Sequence, residues 1–238
     1  MLDHTFAAHP ANLALDEALL ASPDTPETLR FWRPQTPVVV AGRSTRIDDE
    51  IDRKACERAG VPVLRRASGG LTIVTGQGCL MYAVVLDAHT TPEAADIDVA
   101  HRYVLGRMVA ALRPLVPTVA HAGTSDLAIA NGDTLRKFSG NSVRKVRSRL
   151  LYHGTLMHDF DLALIETLLR TPPRQPEYRG GRSHTDFVAN LPIGEEAIAT
   201  AIASEWRATP AKPSEFLLAE TDRLATDKYD SDAWTFSR

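Results

Sequence analysis

Two periods of apolar residues alternate along the chain, one near 3.6 and one near 2, and each change of period marks a new element. Over residues 12–20 the pair Leu15 and Leu19 and the pair Ala14 and Ala18 recur at helical spacing, with Asn12 placed to cap the first turn. Residues 28–33 and 36–42 are short β-branched or aromatic runs parted by Pro34, which predicts two strands paired around a turn. A second helix is expected from Asp48, with Ile51, Ala55 and Ala59 on one face and Gly60 as its stop. Residues 61–64 then form a strand that delivers Arg65 and Arg66 to its end, and 71–74 and 80–86 read as two further strands around 75–78.

A longer helix starts near Asp96, presents Ile97, His101, Val104, Met108 and Leu112 on one face, and ends before Pro114. His101 there reads as a packed or surface histidine, since no second ligand stands at helical spacing. Residues 123–129 alternate as a strand, and Asn131 followed by Gly132 is a hairpin signal. The returning strand carries Lys137, so Asp126 and Lys137 are expected on neighbouring strands of one hairpin. Lys145, Arg147 and Arg149 read as a basic loop before a strand over 150–157. A short helix over 161–169, an irregular proline- and glycine-rich excursion over 171–184, and helices over 194–206 and 213–224 follow. Trp234 and Phe236 are expected to tack the tail to the body. Strands and helices interleave without a regular βαβ rhythm, which predicts an α+β domain with a mixed, mainly antiparallel sheet flanked by helices.

Composition narrows the class without choosing a function. The 238 residues are 44% hydrophobic and 24% charged, enough for one large core. A formal charge of −3 and a pI near 6.2 argue against a nucleic-acid binder. Cys56 and Cys79 lack CxxC spacing, so neither a disulfide framework nor a zinc site is implied, and a reducing, cytoplasmic setting fits. The first residues show no basic-then-apolar leader and no apolar run approaches a membrane span.

Two stretches concentrate chemistry. In the RRASGG segment, Arg66, Ser68, Gly69 and Gly70 combine guanidinium, hydroxyl and close-approach backbone, a composition suited to phosphate or carboxylate oxygens. In RKFSGNS, Lys137 can neutralise negative charge that develops when a carboxylate attacks an α-phosphate, and Asp126 opposite can hold a metal. Each also has a plain reading: ordinary turn glycines, a surface cation, a solvated hairpin carboxylate. His153, before Gly154, is equally a packed imidazole or a substrate contact.

The ordered set NLALDEALL, RRASGG, TSDLAI, RKFSGNSVR and YHGTLM resembles the lipoate-protein ligases, within the wider group of biotin and lipoate protein ligases and octanoyltransferases. The match is collinear over residues 12–191, and the closing YDSDAWTFSR is similar as well. The resemblance implies a core like that of biotin protein ligases and class II aminoacyl-tRNA synthetases. It implies ATP and Mg2+ as cofactors, lipoate or octanoate as the acid activated to an acyl adenylate, and a lysine of a lipoyl carrier domain as acceptor. Position by position, Arg66, Ser68, Gly69 and Gly70 match residues that wrap the acyl-phosphate, and Lys137 matches the lysine at the acyl carbonyl and phosphate. Asp126 matches the acidic member of an Asn-Asp pair, with Ser125 in the asparagine's place. Ser139, Gly140, His153 and Gly154 match positions of the pocket floor and the adenylate contacts.

Departures from the family pattern open alternatives. Leu71 stands where a third glycine is usual and Thr75 where a histidine is usual. No cysteine occupies either nucleophile position of the octanoyltransferases, and Cys79 and Cys56 read as packing thiols, which favours adenylation over a thioester route. An ATP-independent transferase using an acyl thioester and a non-catalytic homologue that binds lipoyl domains remain the other readings. The expected division is a catalytic domain over 1–193 and a short helical extension over 194–238 packed on it, with an accessory C-terminal domain supplied, if needed, by a separate protein. Arg144, Lys145, Arg147 and Arg149 form a candidate patch for an acidic carrier domain, or a solvated loop.

Overall fold

The computed structural model describes residues 1–172 and 174–238. In chain order its elements are β1 (Leu2–Asp3), α1 (His9–Ala21), β2 (Thr28–Trp32), β3 (Val38–Ala41), α2 (Ile47–Glu50), α3 (Arg53–Ala59), β4 (Val63–Arg65), β5 (Ile73–Thr75) and β6 (Cys79–Asp87). They continue as α4 (Ile97–Leu112), β7 (Val119–Ala122), β8 (Asp126–Asn131), β9 (Thr134–Val146), β10 (Arg149–Met157), α5 (Ala163–Leu168), α6 (His184–Phe187), α7 (Glu195–Glu205), α8 (Glu215–Leu224) and α9 (Asp232–Thr235). A seven-stranded sheet runs β1-β2-β6-β10-β9-β8-β7, antiparallel throughout except where β1 lies parallel to β2. A three-stranded sheet, β4-β3-β5, mixes one parallel and one antiparallel pair. This is the mixed, mainly antiparallel α+β architecture expected.

The large sheet is covered on both faces, and the period-2 alternation of β6 shows how. Leu80, Tyr82, Val84 and Leu86 face a core built with Val104, Met108 and Leu112 of α4 and Ile198 and Ile202 of α7. Ala83 and Val85 face the other way, onto Leu15 and Leu19 of α1 and Leu217 of α8. With both faces buried, β6 reads as an unbroken apolar run. Phe138 is fully buried in the α4-side cluster, where truncation to Ala would cost ~3–5 kcal/mol. The small sheet packs with Trp32, Met81 and Met157 of the large one and with α3 and α5 in a third cluster.

Several local expectations need correction. β2 and β3 do not pair: β2 joins β6, whereas β3 joins β4 and β5, because Pro34 and Pro37 cannot donate to a ladder and the chain changes sheets between them. β5 and β6 are likewise in different sheets. Asn12 is no cap. The helix begins at His9 with Pro10 in its first turn, and the buried Asn12 amide bonds instead to the backbone of Phe6 and to Arg30. The helix expected from Asp48 is two, α2 and α3; Asp52 caps α3 by accepting from the Ala55 N–H at 2.9 Å, and Gly60 ends it in the left-handed conformation. Asp96 caps α4 as expected.

The basic loop also dissolves. β9 extends through Lys145 to Val146, β10 starts at Arg149, and Arg147 and Ser148 make the turn between them. Arg149 is buried, its guanidinium on the carbonyls of Leu19 and Thr25, and Arg144 is paired with Glu17 at 2.8 Å. The four cations therefore do not present one patch. Pro173, within the predicted irregular excursion, lies outside the described residues. Trp234 donates to the Arg65 carbonyl at 2.8 Å, tying the tail down, whereas Phe236 is 40% exposed with the Arg53 guanidinium over its ring. Among the described residues no helix is long and apolar enough to cross a membrane.

Candidate active site

The two arginines of the RRASGG segment go to different partners, Arg65 as the last residue of β4 and Arg66 as the first of the loop that follows. Arg65 is fully buried and donates to the carbonyls of Gly42 at 2.7 Å, Thr45 at 2.9 Å and Thr235 at 2.8 Å. Arg66 turns toward the glycine loop. Its Nη2 donates to Gly69 at 2.6 Å and Leu71 at 2.8 Å, its Nη1 to Val40 at 3.1 Å, and its Nε to Ser68 Oγ at 3.1 Å. Burial lowers the Arg66 guanidinium to about 10, against the raising influence of Glu50. The side chain thus shapes the loop through its carbonyls while lining the cavity. Gly42 lets the loop lie close: a Cβ there would stand 1.9 Å from the Gly70 carbonyl oxygen.

A buried relay backs this loop. Asp16 of α1 pairs with the fully buried Arg30 of β2 at 2.5 Å and accepts from His153 Nδ1 at 2.9 Å. His153 Nε2 lies 2.6 Å from Ser68 Oγ. Burial opposes ionisation of Asp16, but the Arg30 charge and the His153 contact outweigh it and hold the carboxyl below the usual range. His153 is therefore a cavity-wall imidazole fixed at both nitrogens.

The hairpin supplies the second wall. Between β8 and β9 the register slips at Leu127 and Ala128, so that Asp126 pairs with Gly140 while Ala128 pairs with Lys137. The bulge turns Lys137 onto the Gly140 side, and its Nζ meets Asp126 Oδ1 at 2.8 Å. The other carboxylate oxygen accepts from the Tyr178 hydroxyl at 2.8 Å. Burial and the neighbouring Asp126 charge push the Tyr178 phenol up, so it stays a donor. Gly140 makes room for the lysine: a Cβ there would fall 2.8 Å from both Cε and Nζ. Gly154 does the same for Asn141, whose Oδ1 accepts from Tyr82 at 2.6 Å and whose Nδ2 donates to the Ser125 carbonyl at 2.8 Å. Ser142 Oγ closes the ring of contacts by donating to Gly69 at 2.7 Å.

These walls enclose a cavity of about 370 Å³ whose lining includes Leu13, Trp32, Val40, Met81, Arg66 and His153. A neighbouring chamber of about 120 Å³ is lined by Val74, Met157, Ile165, Phe187, Arg170 and Arg179. Lys137, Gly140, Leu71, Thr155 and Arg174 border both, so the lysine stands at the junction. The structure brings Arg66, Gly70, Asp126, Lys137, Gly140, His153 and Gly154 to the cavity. Ser68 and Ser139 are buried behind it, at 1% and 0% exposure, and Gly69 contributes its carbonyl to Arg66 and Ser142. Leu71 forms part of the rim, and Thr75 is buried with its hydroxyl on the Met81 sulfur. Cys79 is buried away from both chambers, its thiol pushed up to about 11 by burial.

Residues the sequence reading passed over include Asp16, Arg30, Tyr82, Asn141 and Tyr178. A signal existed for the first: Asp16 interrupts the apolar face of NLALDEALL, and a carboxylate there has to find a buried partner. Tyr178 lies in the irregular stretch, where no period points to a partner. Among the described residues no group of three His, Cys, Asp or Glu side chains is gathered for a metal. Asp126 lines the larger chamber with one carboxylate oxygen on Lys137 and the other on Tyr178.

Fold and site together define an α+β domain with two adjoining chambers beside a buried glycine loop, and a lysine paired with a carboxylate at their junction. The pattern of the family described as the lipoyl protein ligase A/B catalytic domain matches residues 9–200, and the chain belongs to that family. It is 25% identical to lipoate-protein ligase 1 of Staphylococcus aureus, over 95% of this chain and 70% of that one. Lipoate-protein ligase A of Blochmanniella floridana is 28% identical over 181 residues, 76% of this chain but 51% of that one. In structure, a bipartite lipoate protein ligase from Thermoplasma acidophilum, described with its E2 lipoyl domain, superposes with a TM-score of 0.86 at 21% identity, covering 99% of this chain and 94% of that one. A lipoate-protein ligase A bound with ATP superposes with a TM-score of 0.80 at 19% identity, covering 99% and 97%.

Proposed function

We propose that the protein is an ATP-dependent lipoate-protein ligase. It activates lipoate or octanoate as an acyl adenylate and passes the acyl group to a lysine of a lipoyl carrier domain. The observation that carries this reading is the placement of Lys137 at the junction of two chambers, paired with Asp126 at 2.8 Å. The acyl chain occupies the larger chamber against Leu13, Trp32, Val40 and Met81, where burial of each methylene contributes ~0.8 kcal/mol. Arg170, Arg174 and Arg179 on the wall of the smaller chamber supply positive charge for phosphate groups. Carboxylate and α-phosphate then meet at Lys137. Its ammonium stands where negative charge develops as the carboxylate attacks and pyrophosphate leaves, and again as the acceptor amine expels AMP. Mg2+ would be held by Asp126 and would neutralise phosphate charge.

Arg66, Ser68, Gly69, Gly70 and His153 set the shape of the acyl-phosphate wall, with Ser139, Gly140 and Gly154 keeping Lys137 and Asn141 in place. Residues 1–193 form the catalytic domain in this reading, and 194–238 an extension held by the Lys228 and Tyr229 contacts to Glu17. A separate protein supplying an accessory domain is a further possibility that the bipartite Thermoplasma relative supports.

The deciding experiment incubates apo lipoyl domain with lipoate or octanoate and Mg-ATP, and reads intact mass. Acylation that requires ATP and is lost in Lys137→Ala is the expected result; carrier binding without acylation, or acylation indifferent to ATP, overturns the reading.

A further inference from the structure

One row of residues runs straight across the large sheet along the larger chamber. Asp126 pairs with Gly140, Gly140 with Thr155, Thr155 with Met81, and Met81 with Trp32, from β8 through β9, β10 and β6 to β2. All of them line that chamber. Residues directly opposite one another in paired strands share a face, so the row is a ruler with about 4.8 Å between marks. Its origin is Gly140, where an added Cβ would stand 2.8 Å from Lys137 Nζ. Thr155, the next mark, has a short side chain. Met81 follows at ~10 Å from Gly140 and is the first long side chain on the row. The small sheet adds Val40 and Ile73, paired with each other, to the lining. Two residues after Ile73, and on the same face of β5, stands Thr75. It is fully buried, and its hydroxyl donates to the Met81 sulfur at 3.0 Å. A methionine alone is an adaptable wall, because its three rotatable bonds let it fold away from a ligand. Here a donor from the second sheet fixes the sulfur, and the thioether becomes stiff.

We propose that Met81, held by Thr75, is the stop that sets which acids the chamber accepts, limiting an unbranched chain to about eight carbons. The proposal rests on the reading of the larger chamber as the acyl site given above. A chain of carbon–carbon bonds of about 1.52 Å advances roughly 1.25 Å per bond when extended, so an eight-carbon acid spans ~9 Å and a ten-carbon acid ~11 Å. With the carboxylate at Lys137, the shorter acid ends at the Met81 thioether and the longer one has to displace it. Displacement breaks the Thr75 contact and leaves that hydroxyl buried without its acceptor, which opposes binding. Lipoate has the same eight-carbon length, and its dithiolane closes on the last three carbons, so the ring comes up beside the polarizable thioether.

The test measures binding of unbranched acids from hexanoate to dodecanoate to the full chain by calorimetry, without nucleotide. Affinity is expected to rise about fourfold per methylene up to octanoate, then to fall about tenfold or more at decanoate. Met81→Ala opens the row as far as Trp32, the next mark at ~14 Å, and should bind decanoate about tenfold or more tighter than the unaltered chain does. Thr75→Val keeps the side-chain shape and removes the donor, so octanoate should bind within about twofold of the unaltered chain while the drop at decanoate shrinks about threefold or more. A thermal melt checks that both variants fold, and the series on the unaltered chain needs no variant. An unbroken rise through dodecanoate, a drop that stays at the same length in both variants, or no binding of any of these acids overturns the proposal. Acyl-AMP formation from the same acids with Mg-ATP is followed in parallel. A length limit in binding without any acyl-AMP refutes the ligase reading alone; acyl-AMP formation with a limit that Met81→Ala leaves in place refutes the stop alone.

Discussion

Replacing Gly140 with alanine separates the position of Lys137 from its charge. The new Cβ would stand 2.8 Å from Cε and Nζ of Lys137 but 4.0 Å from Asp126 Oδ1, so the lysine, not the carboxylate, has to move. The lysine end is flexible and 26% exposed, so it swings off Asp126 and the backbone holds. A charge-assisted hydrogen bond of this kind contributes ~1.5–3 kcal/mol. If that is the preorganisation lost at the transition state, kcat/KM for adenylate formation falls roughly 10- to 150-fold. Stability should fall by less than that ~1.5–3 kcal/mol, because alanine within a strand is favoured over glycine by ~0.5–1 kcal/mol and offsets part of the lost pair. Single-turnover formation of lipoyl-AMP, with a thermal melt on the same sample, reads both effects. Activity within about twofold of the parent, in a protein that Lys137→Ala inactivates, would refute the idea that the Asp126 contact places the lysine.

Other consequences follow from buried pairs. Arg30→Met leaves the buried Asp16 carboxylate with the His153 contact but without its cation, which costs ~3–5 kcal/mol and should lower Tm by about 6–20 °C for a chain of this size; a loss under about 3 °C in a melt would contradict that. Glu17 is raised by burial, but the Lys228 and Tyr229 hydrogen bonds and the Arg144 charge outweigh this and leave its carboxyl depressed. With the folded value below the unfolded one, this stabilisation is complete above the unfolded pKa of roughly 4.3 and is lost as pH falls through the folded value. Hydrogen exchange should therefore show residues 225–235 loosening first in acid, an effect absent in Glu17→Gln. Cys79, at about 11 and buried, should resist a maleimide at pH 8 until the chain unfolds, read by mass.

Much of this architecture is written in local pattern, and its failures have a common cause. α4 was legible from Asp96 through Leu112, and the hairpin from Asn131 and Gly132, because caps and tight turns depend on a few adjacent residues. That hairpin also placed Lys137 and Asp126 on neighbouring strands, although the bulge that sets Gly140, not Lys137, opposite Asp126 was not legible. Sheet membership was not legible. β2 and β3, and then β5 and β6, are neighbours in sequence yet belong to different sheets, since the partner of a strand is chosen by burial across the whole fold. The site repeats the lesson: adjacent Arg65 and Arg66 read alike, but β4 ends between them, and one reaches the tail while the other turns into the glycine loop. Asp16 and Tyr178 act through partners 137 and 52 residues away, at distances in sequence that no motif spans.

The grip of Arg65 on the Thr235 carbonyl sets an order of events during synthesis. The two residues are 170 apart, and at roughly 5–20 residues per second about 10–30 s separate their emergence from the ribosome. Until then the buried guanidinium lacks one of its acceptors, and the strand that feeds the glycine loop has no lid of α9 over it. The larger sheet can close earlier around its hairpins, so the substrate wall is among the last parts to mature. A nascent chain stalled short of residue 235 would hold a formed scaffold and an unfinished glycine loop, open to chaperones at the face α9 later covers.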